Sequence, residues 1–503
     1  MISFKEFSSI VEKNFVLNKI LVVPIYKEIV VDTETAVSLF LKTASEEKFS
    51  YLLESAETNL QWGRYSFISY SPYLLFSSKQ KKIKIVKNKK VKAYNSQPFD
   101  EIKKILKQFY IPESETKSLP RFFGGLVGYI SYENVHLIEE TVKLPQKDEF
   151  NEVWDIYLMF NQVVLILDHY LNKLKIIYLV IVEDKSNLEE LYLNAEKEIN
   201  KVEENIKTKL LSTKNFFISQ RKINIEKYES NIEEKKFINI VEKAKRYISE
   251  GEIIQVVLSR RLYRQTLAEM FDVYRTLRII NPSPYMFYLK FRNLILIGSS
   301  PEILVRKQQD IIETRPIAGT RPRGKTEEEH NMYEKELLSS KKENAEHIML
   351  VDLARNDIGK IAKYNSINLP QFKIIEKFSH VMHIVSSVKG IIKKNFDCVD
   401  VLKSCFPAGT VCGAPKVRAM QIISELERYT RGPYAGAVGY FSLNGNMDMA
   451  ITIRTIVYKD KKVYIQSGAG IVADSVAEKE FEETINKAKA LILAVDTAES
   501  NSK

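Results

Sequence analysis

Cysteine and histidine are scarce in this chain. The cysteines are Cys398, Cys405 and Cys412, an odd number with no Cys-x-x-Cys spacing. That excludes a disulfide framework and a zinc site of the usual spacing, and it suits a reducing, cytoplasmic setting. Six histidines in 503 residues leave little room for histidine-rich metal chemistry. No apolar run approaches the roughly 18 residues that a membrane span requires. The apolar stretches Ile20–Ile25 and Ile176–Val182 are strand-sized. The start MISFKEFSS lacks the basic and apolar regions of a secretory leader. No repeat and no low-complexity tail is present. No cysteine sits in a Gly-x-Cys-x-Gly elbow, and no Cys/His pairing is defensible, so the chain carries no glutaminase triad of its own.

What is present is ordinary for a globular protein: 45% hydrophobic, 28% charged and 11% aromatic residues. The net charge of +11 raises the question of a nucleic-acid partner. The densest basic stretch, Lys79–Lys92, alternates lysine with isoleucine and valine around Asn88 and reads as an exposed β-hairpin. It has no aromatic side chain to stack on bases, so neither a nucleic-acid nor a membrane partner is expected. Residues 1–185 read mainly as strands, with Gly124, Gly125 and Gly128 marking close backbone approach or a turn. Residues 186–232 hold a helix over 187–210 and a polar linker. Residues 233–495 mix strands and helices, and 496–503 form a tail. Without strict βαβ alternation, the pattern predicts an α+β fold with antiparallel sheets.

Two carboxylate pairs stand out. Glu343 and Glu346 share one predicted helix at i, i+3, and Glu480 and Glu483 share another at the same spacing. Ser475 and Glu478 read as a capping box opening the second helix. Four carboxylates from two helices are able to hold a hard cation such as Mg²⁺, although solvated surface charge explains the same spacing. Ser467-Gly468-Ala469-Gly470 follows a predicted strand, where small residues admit an anion to backbone N–H groups or simply make a tight turn. Residues 319–326 fit the phosphate-loop pattern GxxxxGK[ST]. Against that reading, Pro322 removes a backbone donor, Glu327, Glu328 and Glu329 repel a triphosphate, and the Asp352 segment is helical in period. His380 and His383 lie at i, i+3 on a predicted strand and therefore point to opposite faces, which argues against a metal pair.

Read together, PIAGTRPRG (316–324), ENAEHIMLVDLARND (343–357), VMHIVSSVKG (381–390), FPAGTVCGAPKVRAM (406–420), GPYAGAVGYF (432–441), AITIRT (450–455), SGAGIVADS (467–475) and EFEETINKAKA (480–490) resemble the chorismate-utilising enzymes. That family includes anthranilate synthase component I, aminodeoxychorismate synthase and isochorismate synthase. The resemblance implies two β-sheets stacked as a sandwich with surrounding helices. It implies Mg²⁺ at Glu346 and Glu483, with Glu343 and Glu480 in the outer shell. It further implies that Arg454 clamps the enolpyruvyl carboxylate of chorismate and that Gly468, Ala469 and Gly470 donate backbone hydrogen bonds. Gly319, Thr320, Thr410, Tyr434 and Lys487 match other substrate-contacting positions. Glu302, in SSPEILV, matches the family's general acid, and His383 its catalytic histidine.

The same resemblance separates the three reactions by two positions. Aminodeoxychorismate synthases carry a nucleophilic lysine where this chain has Ala318. Isochorismate synthases carry a water-activating lysine where it has Gln255. With neither amine present, ammonia is the expected nucleophile and anthranilate the expected product. Since the chain has no glutaminase triad, a separate glutamine amidotransferase subunit is expected to supply the ammonia in a hetero-oligomer. Leu52-Leu53-Glu54-Ser55 and Asn281–Phe287 resemble the family's pocket for the inhibitor L-tryptophan. Glu54 and Ser55 offer acceptors for an ammonium group, and Pro284, Tyr285 and Met286 offer backbone groups and an apolar wall for an indole.

Overall fold

The structure is a computed structural model, and it describes residues 1–56, 63–145, 147, 150, 152–210, 223–324, 326–377 and 381–501. The two strand-sized apolar runs pair with each other: Ile20–Val30 lies antiparallel to Lys173–Val182, with Val22 opposite Ile181. Their continuous hydrophobicity reflects burial on both faces. The long strands Tyr65–Lys79 and Ile156–Asp168 then organise everything else. A register shift between Pro72 and Leu74 lets the two halves of the first strand enter different sheets.

The first sheet runs from Ile20–Val30 through Lys173–Val182, the end of Ile156–Asp168 and the start of Tyr65–Lys79. It continues through Phe49–Glu54, Tyr285–Phe291, Leu294–Ser300, Thr455–Lys459, Lys462–Ile471 and Gln255–Gln265. The second sheet starts at the hairpin Lys82–Lys87/Lys90–Asn95 and crosses the other halves of the two long strands. It goes on through Gly125–Ile130, Ala437–Ser442, Met447–Ile451, Ile303–Gln308 and Ile311–Thr314 to Val381–Ile391.

The sheets face each other across an aromatic core. Phe67 of the first meets Phe122 edge-on at 5.0 Å, and Phe291 stacks on Tyr157 of the second at 4.3 Å. This is the expected sandwich. The outer face of the first sheet is covered by helices including Ala36–Thr43, Met270–Ile280 and Ala477–Asn501, whose apolar stripes form a second core around Leu39, Val273 and Leu491. Lys341–Gly359 and Cys398–Cys405 pack on the second sheet. Segments 1–185 and 233–495 thus contribute strands to both sheets.

The basic stretch forms the expected hairpin, with Asn88 and Lys89 both at positive φ (47° and 63°), the conformation of a two-residue type I′ turn. Gly128 marks close approach, because a Cβ there would lie 1.9 Å from the carbonyl oxygen of Tyr157. No described helix is long and apolar enough to cross a membrane. The three cysteines are free and buried.

Two expectations need correction. MDMAITIRTIVYK reads as one strand but forms two, Met447–Ile451 and Thr455–Lys459. The break falls at Arg454, whose φ of 50° no strand accommodates. The Ser475/Glu478 capping box is not formed, because the last helix begins at Ala477. The Ser475 hydroxyl instead accepts from the backbone N–H of Val472 and bonds the Glu480 carboxylate. KVYIQSGAGIVA reads as a strand, and Ser467–Gly470 lies inside Lys462–Ile471, paired with Val257–Arg260.

Candidate functional site

Small residues within that strand leave one edge of it open. On one side Gly470, Ala469 and Gly468 pair with Val257, Leu258 and Ser259. On the other, the neighbouring strand Thr455–Lys459 pairs only as far as Ile465, so among the described residues no strand covers the edge along 467–470. An uncovered edge presents a row of backbone donors and acceptors. The Lys487 ammonium uses one of them, donating to the carbonyl of Gly468 at 2.9 Å. Arg454 donates through Nη1 to the carbonyl of Lys487 at 2.9 Å. A Cβ at Gly468 would meet the Tyr434 hydroxyl at 2.8 Å. Gly468, Tyr434, Arg454 and Lys487, far apart in sequence, therefore share one wall.

The four glutamates approach this wall from two helices. Lys487 pairs with Glu483 at 2.6 Å. Burial pushes the Glu346 carboxyl above its ordinary range and the charge of Glu343 adds to the effect; a hydrogen bond from Gln255 and the charges of Lys342 and Lys487 oppose it. Burial also raises Glu480, with Glu483 contributing, while Ser475, Lys487 and Lys342 pull it down. Lys487 of one helix thus acts on Glu346 of the other, and Lys342 acts on Glu480 in return, so the two helix faces look toward each other. Gln255 closes the gap between them: it bonds Glu346, and its amide lies 2.6 Å from where a Cβ on Gly470 would stand. Among the described residues no group of three His, Cys, Asp or Glu side chains is close enough to enclose an ion. The donor set is all oxygen, and like charge held partly out of water favours a dication. One or two carboxylates with the remaining positions left to substrate and water is how Mg²⁺ is commonly bound.

His383 sits on the strand Val381–Ile391 beside the register shift of Ile317–Pro322 that contains Gly319, which adopts a positive φ of 66°. Its Nδ1 lies 2.7 Å from the carbonyl oxygen of Gly319 and 3.2 Å from the Thr320 hydroxyl. A carbonyl only accepts, so Nδ1 carries the proton and Nε2 is the basic nitrogen. Burial holds the imidazole below its ordinary 6.5 and keeps it neutral near pH 7; the Gly319 hydrogen bond opposes this and Arg454 reinforces it. A Cβ at Gly319 would lie 3.1 Å from a Glu343 oxygen, which places this pair beside the first glutamate helix. His380 and Lys325 lie outside the described residues. Ile317–Pro322 is a strand followed by the helix Glu327–Ser339, not a phosphate-binding loop opening a helix.

Glu302 is buried and accepts a hydrogen bond from the Thr410 hydroxyl at 2.7 Å. Burial lifts its carboxyl from 4.5 to about 8, with the Thr410 bond a smaller opposing effect. At neutral pH it is a protonated acid. A cavity of about 390 Å³ opens beside it, walled by Pro316, Leu350, Leu353 and Ala408. The backbone joins Glu302 to the wall described above: its carbonyl accepts from Ile451, three residues before Arg454.

The tryptophan-pocket segments also come together. Glu54 is directly opposite Met286 on adjacent strands. Glu54, Ser55, Pro284, Tyr285 and Met286 line one cavity of about 550 Å³ with Phe67 and Val438. One difference from expectation is that the Glu54 carboxylate already has a cation, Arg278, whose Nε lies 2.7 Å away, and it also accepts from the Tyr274 hydroxyl. Ala318 is buried in its strand opposite Ile384.

Sequence reading missed a buried ion pair behind the site. Arg431 donates to Glu427 through Nε at 2.9 Å, to the carbonyl of Val411 at 2.8 Å and to that of Val257 at 2.7 Å. It thereby ties the Thr410 turn to the strand that carries Gln255. Removing one partner of such a pair costs about 3–5 kcal/mol. Their i, i+4 spacing gives no helical signal, because the helix ends at Glu427 and Arg431 lies beyond it.

Comparison with known proteins agrees with this arrangement. The family model described as chorismate binding enzyme matches residues 50–493. Anthranilate synthase component 1 of Aquifex aeolicus is 49% identical over 95% of this chain and 96% of its own length. That of Acetivibrio thermocellus is 46% identical with the same coverage. The crystal structure of anthranilate synthase component I from Streptococcus pneumoniae aligns with a TM-score of 0.75 at 34% identity, over 92% of this chain and 99% of that one. A menaquinone-specific isochorismate synthase from Escherichia coli shares the fold, with a TM-score of 0.71 at 18% identity over 98% of this chain and 99% of that one. The chain belongs to the chorismate-binding enzymes and, among them, to the anthranilate synthase component 1 family.

Proposed function

We propose that the chain converts chorismate and ammonia into anthranilate and pyruvate, the entry to tryptophan synthesis, at the site bounded by Glu302, His383, Arg454 and the open strand edge. Arg454 and the backbone donors of Gly468–Gly470 hold the carboxylates of the substrate, with Lys487, Tyr434, Thr320 and Thr410 around it. Ammonia adds to the ring, the double bonds shift, and the C4–O bond breaks. Glu302, protonated at neutral pH, gives its proton to the departing hydroxyl, which leaves as water. The neutral imidazole of His383 then takes the ring proton at Nε2 as the ring C–O bond breaks; the ring becomes aromatic, and the departing enolate takes up a proton at its methylene carbon and leaves as pyruvate. Glu346 and Glu483 would hold Mg²⁺, with Glu343 and Glu480 behind them. When bound, the ion neutralises and orients the ring carboxylate.

The choice of ammonia rests on one observation. By the resemblance of their flanking motifs, Ala318 and Gln255 occupy the positions at which a lysine is expected in the two sister reactions, and neither supplies an amine or a base. Aminodeoxychorismate synthesis is the second reading, and the missing lysine at 318 disfavours it. The ammonia comes from a separate glutamine amidotransferase subunit, in keeping with relatives named as a first component. The cavity at Glu54 and Met286 is the site of feedback inhibition by L-tryptophan. Asp448 and Ala450 line it, and the next residue, Ile451, hydrogen-bonds Glu302, so one strand touches both sites. Incubation with chorismate, Mg²⁺ and ammonium should yield anthranilate fluorescence. A 4-amino product, or isochorismate, would refute the assignment.

A further inference from the structure

Around the 550 Å³ cavity, whose charged lining is Glu54, Asp448, Arg121 and Arg306, Arg278 pairs with Glu54 from behind at 2.7 Å and leaves one cation in excess. Asp448 is gripped by Arg306 through Nε at 2.9 Å and Nη2 at 2.8 Å, and it accepts from the Tyr285 hydroxyl at 2.9 Å. Arg121 remains. Its Nη2 stands 3.5 Å from the Asp448 carboxylate that Arg306 already holds more closely, and another contact is with the Tyr440 hydroxyl. Its Nε is buried with no hydrogen-bond partner among the described residues. The main chain that carries Arg121 is fixed, because its backbone carbonyl is held by the amides of Asn446 at 3.0 Å and Asn444 at 3.3 Å. A guanidinium with a spare donor and only a long second-hand ion pair, in a cavity walled by Phe67, Phe287 and Met286, is a receptor for a carboxylate on an apolar or aromatic body.

We propose that Arg121 reads the carboxylate of the ligand in this cavity, and so restricts it to aromatic acids and amino acids as opposed to the corresponding amines. The assignment rests on the reading of the cavity as a tryptophan site. Asp448, bound by Arg306 and Tyr285, serves as the fixed wall that keeps Arg121 extended toward the ligand.

Calorimetric titration of the purified chain with L-tryptophan, tryptamine and indole-3-propionate separates the possibilities. The wild type should bind tryptophan at least about tenfold more tightly than tryptamine, about 1.4 kcal/mol. In Arg121→Met this preference should collapse toward unity and indole-3-propionate should no longer bind, while Arg121→Lys should keep part of it. Each ratio is internal to one variant, so a general loss of stability does not imitate the effect. A preference that survives in Arg121→Met overturns the assignment and leaves the cavity reading intact. Failure of the wild type to bind tryptophan overturns both.

Discussion

Replacing Glu302 by Gln keeps the shape of the side chain and removes only the proton. The wild-type carboxyl is held from 4.5 up to about 8 by burial. At about 1.4 kcal/mol per pH unit, that shift corresponds to at most about 5 kcal/mol between the two protonation states. Two consequences follow. In catalysis, the variant has no proton for the departing hydroxyl, so the rate should fall about 10²–10⁴-fold. The wild-type rate, plotted against free ammonia and not total ammonium, should decline above pH of about 8, and that decline should vanish in the variant. In stability the sign is fixed by the raised value. The folded chain holds the proton more tightly than the unfolded one, so the contribution is complete below 4.5 and is lost as pH rises through about 8. Glu302→Gln should therefore match the wild type near pH 5 and exceed it at pH 9. Anthranilate fluorescence and thermal denaturation across this range measure both. A variant within threefold of wild-type rate, or one with the same stability difference at pH 5 and pH 9, would refute the reasoning.

His383→Ala should depress pyruvate release by about 10²–10⁴-fold while chorismate still binds, read by a coupled lactate dehydrogenase assay beside calorimetry. Ala318→Lys should damage anthranilate formation by placing an amine where none stands; unchanged turnover would undercut the argument from Ala318. The chain alone should make anthranilate from ammonium at high pH but not from glutamine, and glutamine-dependent activity in the pure chain would remove the need for a second subunit. Ser55→Phe fills part of the effector cavity and should relieve inhibition by tryptophan; wild-type inhibition in that variant would place the effector elsewhere.

Local elements were largely legible, because their information is local. The helix Met270–Ile280 and the strand Gln255–Gln265 follow from period and flanking signals. The split at Arg454 was not legible, since nothing in AITIRTIVYK announces a positive φ at an arginine. Nor was the capping of the last helix, where Ser475 had two carboxylates within five residues, Glu478 and Glu480, and bonds the second. The site residues came from long motifs, and spacing alone left the glutamates as plausible surface charge. What the coordinates add is relation: Lys487 on the Gly468 carbonyl, Gln255 between Glu346 and Gly470, and Arg431 behind the Thr410 turn. Each joins residues distant in sequence, and a pattern confined to neighbours carries no record of them.

The two strands shared between the sheets have a consequence for how the chain reaches this state. Tyr65–Lys79 must find Phe49–Glu54 at one end and Lys82–Lys87 at the other, and Phe49–Glu54 must in turn find Tyr285–Phe291, more than two hundred residues downstream. Closing so large a loop costs entropy before any contact repays it. The amino-terminal third therefore waits, with half-finished edges, until the ribosome has delivered the rest. A nick or a split gene at the 211–232 connection would leave two pieces, each with part of both layers and neither with a complete interior, and activity should return only when the two are refolded in each other's presence.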